Sequence, residues 1–189
     1  MALEPLSIAR ALSGFSEVLA RFQVTSRSAE DVGLAALAQL LGAALARDAQ
    51  CFLVGNGGSA AVCSHIHNDL VNKLRLRAHV LHEPSVLTCM SNDYGYPTAF
   101  SNLVERQGRT GDVLVAISSS GKSANMLAAV GAARGRAMQV ITLTGFDAAN
   151  PLRLLGDANL WLPSHDYGEV EIGHLFLLHL LVDLLRQPA

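Results

Sequence analysis

Little of this sequence is charged. Asp, Glu, Lys and Arg make up 16% of its 189 residues, whereas half are hydrophobic. So apolar a chain is expected to have part of its surface covered by other subunits, as a homo-oligomer. The formal charge is −2 and no run of like charge occurs, so there is no basic footprint and nucleic acid is not an expected partner. Cysteine is limited to Cys51, Cys63 and Cys89, an odd number in or near elements expected to be buried. That usage argues against a disulfide framework and for a reducing, cytoplasmic compartment. No segment reaches the ~20 apolar residues of a membrane span, so no membrane association is expected. The opening MALEPLSIARALSGF has an early acid and no basic region followed by an uninterrupted apolar run, so it does not read as a signal peptide. Linkers, low-complexity tracts and short repeats are also lacking. One domain over 1–189 is therefore expected, with N-terminal helices in 1–48 and an α/β core in 49–189.

What is present alternates between two periods. Apolar residues recur at helical spacing over 6–22 and 28–47, and Ser28 with Asp31 resembles a capping box for the second helix. Short apolar runs at 51–54, 78–81, 113–117, 138–144 and 158–162 read as five strands, and helices are expected at 59–73, 124–134 and 170–185. Strands alternating with helices predict an α/β fold, a three-layer, doubly wound parallel sheet of five strands. Ligands of such sheets bind beyond the carboxyl ends of the strands.

Two turns stand at such ends. GNGGS follows the strand at 51–54; its glycines let backbone N–H groups approach an anion at a helix N-terminus, although the same pattern also makes a plain tight turn. It is not a dinucleotide fingerprint, since GxGxxG is missing, nor a P-loop, since no GK[ST] follows it. SSSGKS, after the strand at 113–117, offers Ser118, Ser119, Ser120 and Ser123, a neutral cradle for a phosphate monoester or else an N-cap with spare serines. Two cradles exceed the need of one phosphate, so one of them is expected to face sugar hydroxyls.

His65 and Asp69 are four apart on the expected helix, a spacing that suits two ligands of one metal as well as an ordinary surface or core pair. His67 points elsewhere. In the last helix Glu171 and His179 lie within about 80° around the axis but two turns apart, a second pair able to close a four-ligand site. His174 lies roughly 140° from His179 and is not expected to share its target. Asn92 and Asp93 in SNDYGY could bond sugar hydroxyls or belong to a plain loop. Asp166, Glu169 and Glu171 crowd a helix N-terminus, which capping alone would explain.

Taken together, GNGGS, SNDYGY, GDVLVAISSSGKSAN, VITLTGFD and the final HLFLLHLL resemble the sugar isomerase (SIS) domain family, and within it the phosphoheptose isomerases, over nearly the whole chain. The resemblance implies an aldose–ketose isomerase that converts sedoheptulose 7-phosphate into D-glycero-D-manno-heptose 7-phosphate through a cis-enediol. It also implies a homotetramer with active sites at subunit interfaces. Asn56, Gly57, Gly58, Ser59, Asn92, Asp93 and Glu171 would line the sugar site, and Ser118, Ser119, Ser120 and Ser123 would hold the phosphate. A Zn²⁺ ion would be bound by His65, Asp69, Glu171 and His179, although the family has glutamate where this chain has Asp69 and glutamine where it has Glu171. Glu171 or Asp69 would act as base, with His179 handling the proton on the neighbouring oxygen. Two other readings stay open: an SIS isomerase for a different sugar phosphate, and a non-catalytic SIS protein of the DnaA-binding type.

Overall fold

The computed structural model describes residues 7–186; Leu6, where the first helix was expected to open, lies outside the described residues. The elements run α1 (Ile8–Ala20), β1 (Gln23–Ser26), α2 (Gly33–Ala46), β2 (Gln50–Gly55), α3 (Gly58–Asn72), β3 (Arg77–Val80), α4 (Pro84–Tyr94) and α5 (Ala99–Gln107). They continue with β4 (Val113–Ser118), α6 (Ala124–Gly135), β5 (Gln139–Thr144), β6 (Ala158–Trp161) and α7 (Tyr167–Leu185). The five expected strands are β2 to β6, and they form the parallel part of one sheet of order β1-β6-β5-β4-β2-β3.

The sheet has six strands rather than five. Gln23–Ser26 joins its edge antiparallel to β6, with Val24 opposite Leu160. Four residues between two helical patterns carry too short an alternation to stand out. The expected capping box at Ser28 and Asp31 also gives way: Ser26 N–H bonds the Glu30 carbonyl, Val32 N–H bonds that of Val24, and helix α2 opens only at Gly33. Asp31 accepts from the Gly33 N–H at 3.1 Å instead of closing a box.

Period-two alternation sorts the strands between two cores. Cys51, Leu53, Val113, Val115 and Ile117 face a cluster shared with α2, α3 and α7. Phe52, Val54, Leu114 and Ala116 face the other, shared with α5 and α6. Both faces of the central strands are thus covered, which is why they read as continuous apolar runs. The crossover from β2 to β3 covers one face and that from β4 to β5 the other, so the winding reverses between the neighbouring strands β2 and β4. Ligands of doubly wound sheets bind outside such a reversal.

Candidate active site

Both conspicuous turns meet at that reversal. At the end of β2 a Cβ on Gly55 would come within 2.7 Å of the Ser59 backbone, so only glycine lets α3 start this close to its strand. Gly57 then turns the chain with φ +53°. Asn56 and Asn125 exchange side-chain amide bonds of 3.0 and 2.9 Å across the gap, and the Tyr96 hydroxyl donates to Asn56 Oδ1 at 2.6 Å. These contacts tie the β2 turn to the first turn of α6. Asn56, Ser59, Ile117, Ser118, Ser119, Ser120, Ser123, Tyr167 and Glu171 enclose a cavity of about 130 Å³.

No cationic side chain lines this cavity. Its polarity comes from hydroxyls and from the N-terminus of α6, whose partial positive charge favours an anion. Ser119 is 4% exposed, and its hydroxyl is buried without a hydrogen-bond partner. Ser123 occupies the N-cap position yet makes no side-chain capping bond. A buried hydroxyl left unpaired is costly, by about 1–3 kcal/mol, so its presence at a cavity wall suits an incoming acceptor. The Glu171 carboxylate lies where a Cβ on Gly58 would stand, and burial pushes its pKa above the ordinary glutamate value.

A second polar group sits farther along the same two helices. Asp69 Oδ2 accepts from His179 Nδ1 at 2.9 Å and from Lys73 Nζ at 2.8 Å. The His65 ring meets that of His179 edge-on, with centroids 5.1 Å apart. The bond from Lys73 is the chief influence holding the Asp69 carboxyl below its ordinary range, with His179 adding to it. Helices α3 and α7 run side by side in the same direction, since Gly58 meets Glu171 near their starts and Asp69 meets His179 farther on. Eight residues at ~1.5 Å each put Glu171 and His179 about 12 Å apart along the axis.

The residues named for zinc therefore divide between two places. Among the described residues, no group of three or more His, Cys, Asp or Glu side chains is assembled for a metal ion. Asp69 and His179 are in contact with His65 beside them, whereas Glu171 faces the serine cavity, so the four residues named for zinc are not gathered about one point as these side chains stand. Asn92 and Asp93 are also away from the cavity lining. They close α4, with Asn92 donating to Asp93 at 3.0 Å. His67 bonds the Ala78 carbonyl at 3.1 Å, as its orientation on the helix foretold. His174 is fully buried, donates Nε2–H to the Thr144 carbonyl at 3.0 Å, and has its pKa pushed down by burial to about 4. Asn125, Tyr96, Tyr167 and Lys73 were not singled out in the sequence. Only Lys73 carried a usable signal, its four-residue spacing from Asp69.

A larger groove of about 490 Å³, lined by Arg106, Arg109 and Arg136 among others, lies at the opposite end of the strands, before β4 and β5. Arg136 there bonds the Glu105 carbonyl and Arg106 the Asn102 carbonyl, which ties both guanidinia to the backbone of α5.

Fold and cavity together define a doubly wound α/β protein with a candidate small-molecule site at the reversal of its sheet. The model of the SIS domain family matches residues 14–145, and the chain belongs to that family. It is 37% identical over 156 residues to a phosphoheptose isomerase of Edwardsiella ictaluri, covering 79% of this chain and 80% of that one. It is 34% identical over 182 residues to the phosphoheptose isomerase of Aeromonas hydrophila, covering 93% of each. Among solved structures, a phosphoheptose isomerase from Neisseria gonorrhoeae superposes with a TM-score of 0.83 at 32% identity, over 94% of this chain and 97% of that one.

Proposed function

We propose that this chain is a phosphoheptose isomerase, interconverting sedoheptulose 7-phosphate and D-glycero-D-manno-heptose 7-phosphate by moving a proton between C2 and C1. The observation that carries this reading is the pairing of the neutral cradle, with its unpartnered Ser119 hydroxyl, and the Asp69–His179 pair on one helix pair. The phosphate sits on Ser118, Ser119, Ser120 and Ser123 at the N-terminus of α6. Asn56 and Ser59 face the sugar hydroxyls next to it. Glu171, whose carboxyl pKa is raised by burial, stands at the cavity wall within reach of a substrate hydroxyl.

An open-chain heptose extends roughly 8 Å from C7 to C1 at ~1.3 Å per bond, so its carbonyl end runs along α3 and α7 toward His179. A carboxylate only accepts, so the His179 nitrogen facing Asp69 carries the hydrogen and Nε2 is the atom free to take a proton from C1 of the ketose and deliver it to C2 of the enediol. His65, edge-on to His179, stands beside it for the proton that passes between the two oxygens. A module that only bound sugar phosphates would have no use for the Asp69–His179 pair.

The assembly reading rests on an uncovered face. Ile172, Phe176, Leu180 and Leu184 recur every fourth residue along α7 and are 39–65% exposed, and Ile8 and Leu12 on α1 are exposed to 74% and 64%. Covering this stripe with further copies gives the homotetramer, and brings the subunit interface onto the helix that carries Glu171 and His179. The free thiols of Cys51, Cys63 and the exposed Cys89 suit a cytoplasmic location.

The test is an isomerase assay with sedoheptulose 7-phosphate on the wild type and on His179→Ala, each with and without added zinc. Turnover by the wild type and its loss in the variant are expected. No wild-type turnover in either condition, with the oligomer intact, would sink the proposal.

A further inference from the structure

The serine cavity does not end at its serines. Ser120 also lines a second groove of about 470 Å³, whose walls include Lys122, Phe146, Asp147, Trp161 and His165. The two spaces share an aromatic wall as well. In the groove Phe146 stacks on His165, with ring centroids 5.5 Å apart and planes at 23°. Its ring also meets that of Tyr167 edge-on at 4.8 Å, and Tyr167 lines the serine cavity.

This groove is built into the fold. The Gly145 N–H donates to the Ser119 carbonyl at 2.9 Å, and the Phe146 N–H to that of Ser164 at 2.8 Å. Asn150, fully buried, donates to the Asp147 carbonyl at 2.8 Å and lies against Gly121, where even a Cβ would collide with it. These contacts hold the 145–147 turn to the cradle. Phe146 stands at φ +54°, a left-handed conformation that a bulky side chain adopts only against strain and that marks functional positions. Trp161, the one tryptophan of the chain, carries the Arg153 guanidinium over its ring at 4.5 Å. Its indole N–H is buried without a hydrogen-bond partner, and an indole N–H only donates, so this wall suits a ligand that brings acceptors.

A heptose phosphate anchored on the serines extends toward His179 and leaves the groove empty. What the groove offers is a different set of contacts: aromatic faces, a donor in need of an acceptor, the Asp147 carboxylate and the Lys122 charge that the serine cavity itself lacks. Bases stack on aromatic side chains, and a carboxylate takes ribose hydroxyls. A volume of about 470 Å³ falls within the ~300–1,000 Å³ usual for small-molecule pockets.

We propose that this groove is a subsite for a purine nucleoside 5′-monophosphate, whose phosphate takes the serine cradle and whose base stacks against the wall of Phe146 and Trp161. Such a ligand occupies the phosphate position of the sugar, so it inhibits competitively. The proposal takes from the isomerase reading only the place of the phosphate, not the proton chemistry.

The experiment titrates AMP, GMP, ribose 5-phosphate and adenosine into the full chain by calorimetry and follows Trp161 emission in parallel. At least one of AMP and GMP is expected to bind ~10-fold or more tightly than ribose 5-phosphate, which has the phosphate and pentose but no base, and to quench Trp161. Adenosine, without the phosphate, should bind ~10-fold or more weakly than AMP. Phe146→Asn removes the ring and keeps a residue that tolerates the left-handed turn. In that variant nucleotide affinity should fall to that of ribose 5-phosphate, whose own affinity stays within about twofold and reports that the cradle is intact. The wild-type comparison decides even where the variant is unstable.

Neither AMP nor GMP binding more tightly than ribose 5-phosphate would overturn the proposal. So would nucleotide binding that leaves Trp161 emission unchanged, or that survives Phe146→Asn undiminished. Adenosine binding as tightly as AMP would detach the groove from the cradle and overturn it too. Turnover of sedoheptulose 7-phosphate without nucleotide binding leaves the isomerase reading standing and removes this one, and nucleotide binding without turnover does the reverse.

Discussion

Asn56 and Asn125 face each other across the junction of β2 and β4 and bond reciprocally, each amide donating once and accepting once, at 3.0 and 2.9 Å. Asn125 is 3% exposed, so neither water nor a neighbouring side chain readily replaces its partner. Asn125→Leu leaves the Asn56 amide half satisfied and is expected to lower unfolding free energy by about 1–3 kcal/mol, read from urea melts. The same change frees the glycine turn from the serine cradle, so KM for the sugar phosphate should rise as well.

Ser119 separates binding from folding. Its hydroxyl has no partner within the chain, so Ser119→Ala should leave the denaturation midpoint unchanged or slightly higher. A hydrogen bond to a charged phosphate is worth about 1.5–3 kcal/mol, which predicts a KM raised roughly 10- to 100-fold. Steady-state kinetics and melts on one preparation check both halves.

Gly58→Ala would place a methyl where the Glu171 carboxylate now lies. The displaced group is the end of a flexible side chain, so the fold is expected to survive with little change in melting temperature. Glu171 must leave the cavity, and catalytic efficiency should fall about as far as in Glu171→Ala. Comparing kcat/KM for the two variants is the measurement.

Acid sensitivity is expected to centre on Asp157, away from the cavity. Its carboxylate accepts from Arg134 at 2.8 Å, Arg27 at 2.7 Å and the Val140 N–H at 2.9 Å. Burial opposes ionisation there, but these donors prevail and hold the carboxyl below the usual range. A carboxyl whose folded pKa is lowered contributes stability that is fully present above its unfolded value of ~3.9 and is lost as pH falls below it. Asp157→Asn should therefore destabilise the chain at pH 7 and flatten the pH dependence below about pH 4, as followed by chemical denaturation at each pH.

The apolar stripe on α7 predicts assembly. Phe176→Asp together with Leu180→Asp should convert the oligomer to smaller species by light scattering, because a carboxylate buried in an apolar contact is strongly disfavoured. A wild type that runs as a monomer at all concentrations would contradict the tetramer.

Much of this fold was legible because the central strands obey a simple alternation: Cys51 and Leu53 go one way, Phe52 and Val54 the other. The strand Gln23–Ser26 was not, since only Val24 is deeply buried and four residues carry no statistical weight against the flanking helices. SNDYGY misled through its composition. Glu83 caps and Pro84 starts a helix that carries Asn92 and Asp93 to its far end, so polar residues there complete α4 rather than a loop. At the site, both turns were visible from their glycines and serines. The grouping of Glu171 with His179 was not settled by the helical wheel, which gives an angle around the axis and nothing about distance along it.

That distance acts as a ruler. A ligand anchored by its phosphate on the serines would reach toward His179 by the length of its own carbon chain, with one end of the site set by the β4–α6 turn and the other by α7. A pentose 5-phosphate has two fewer carbon–carbon bonds and falls about 2.5 Å short. It would still be held at the cradle, so discrimination against short sugars would reside in kcat rather than in KM, and such sugars would act as competitive inhibitors.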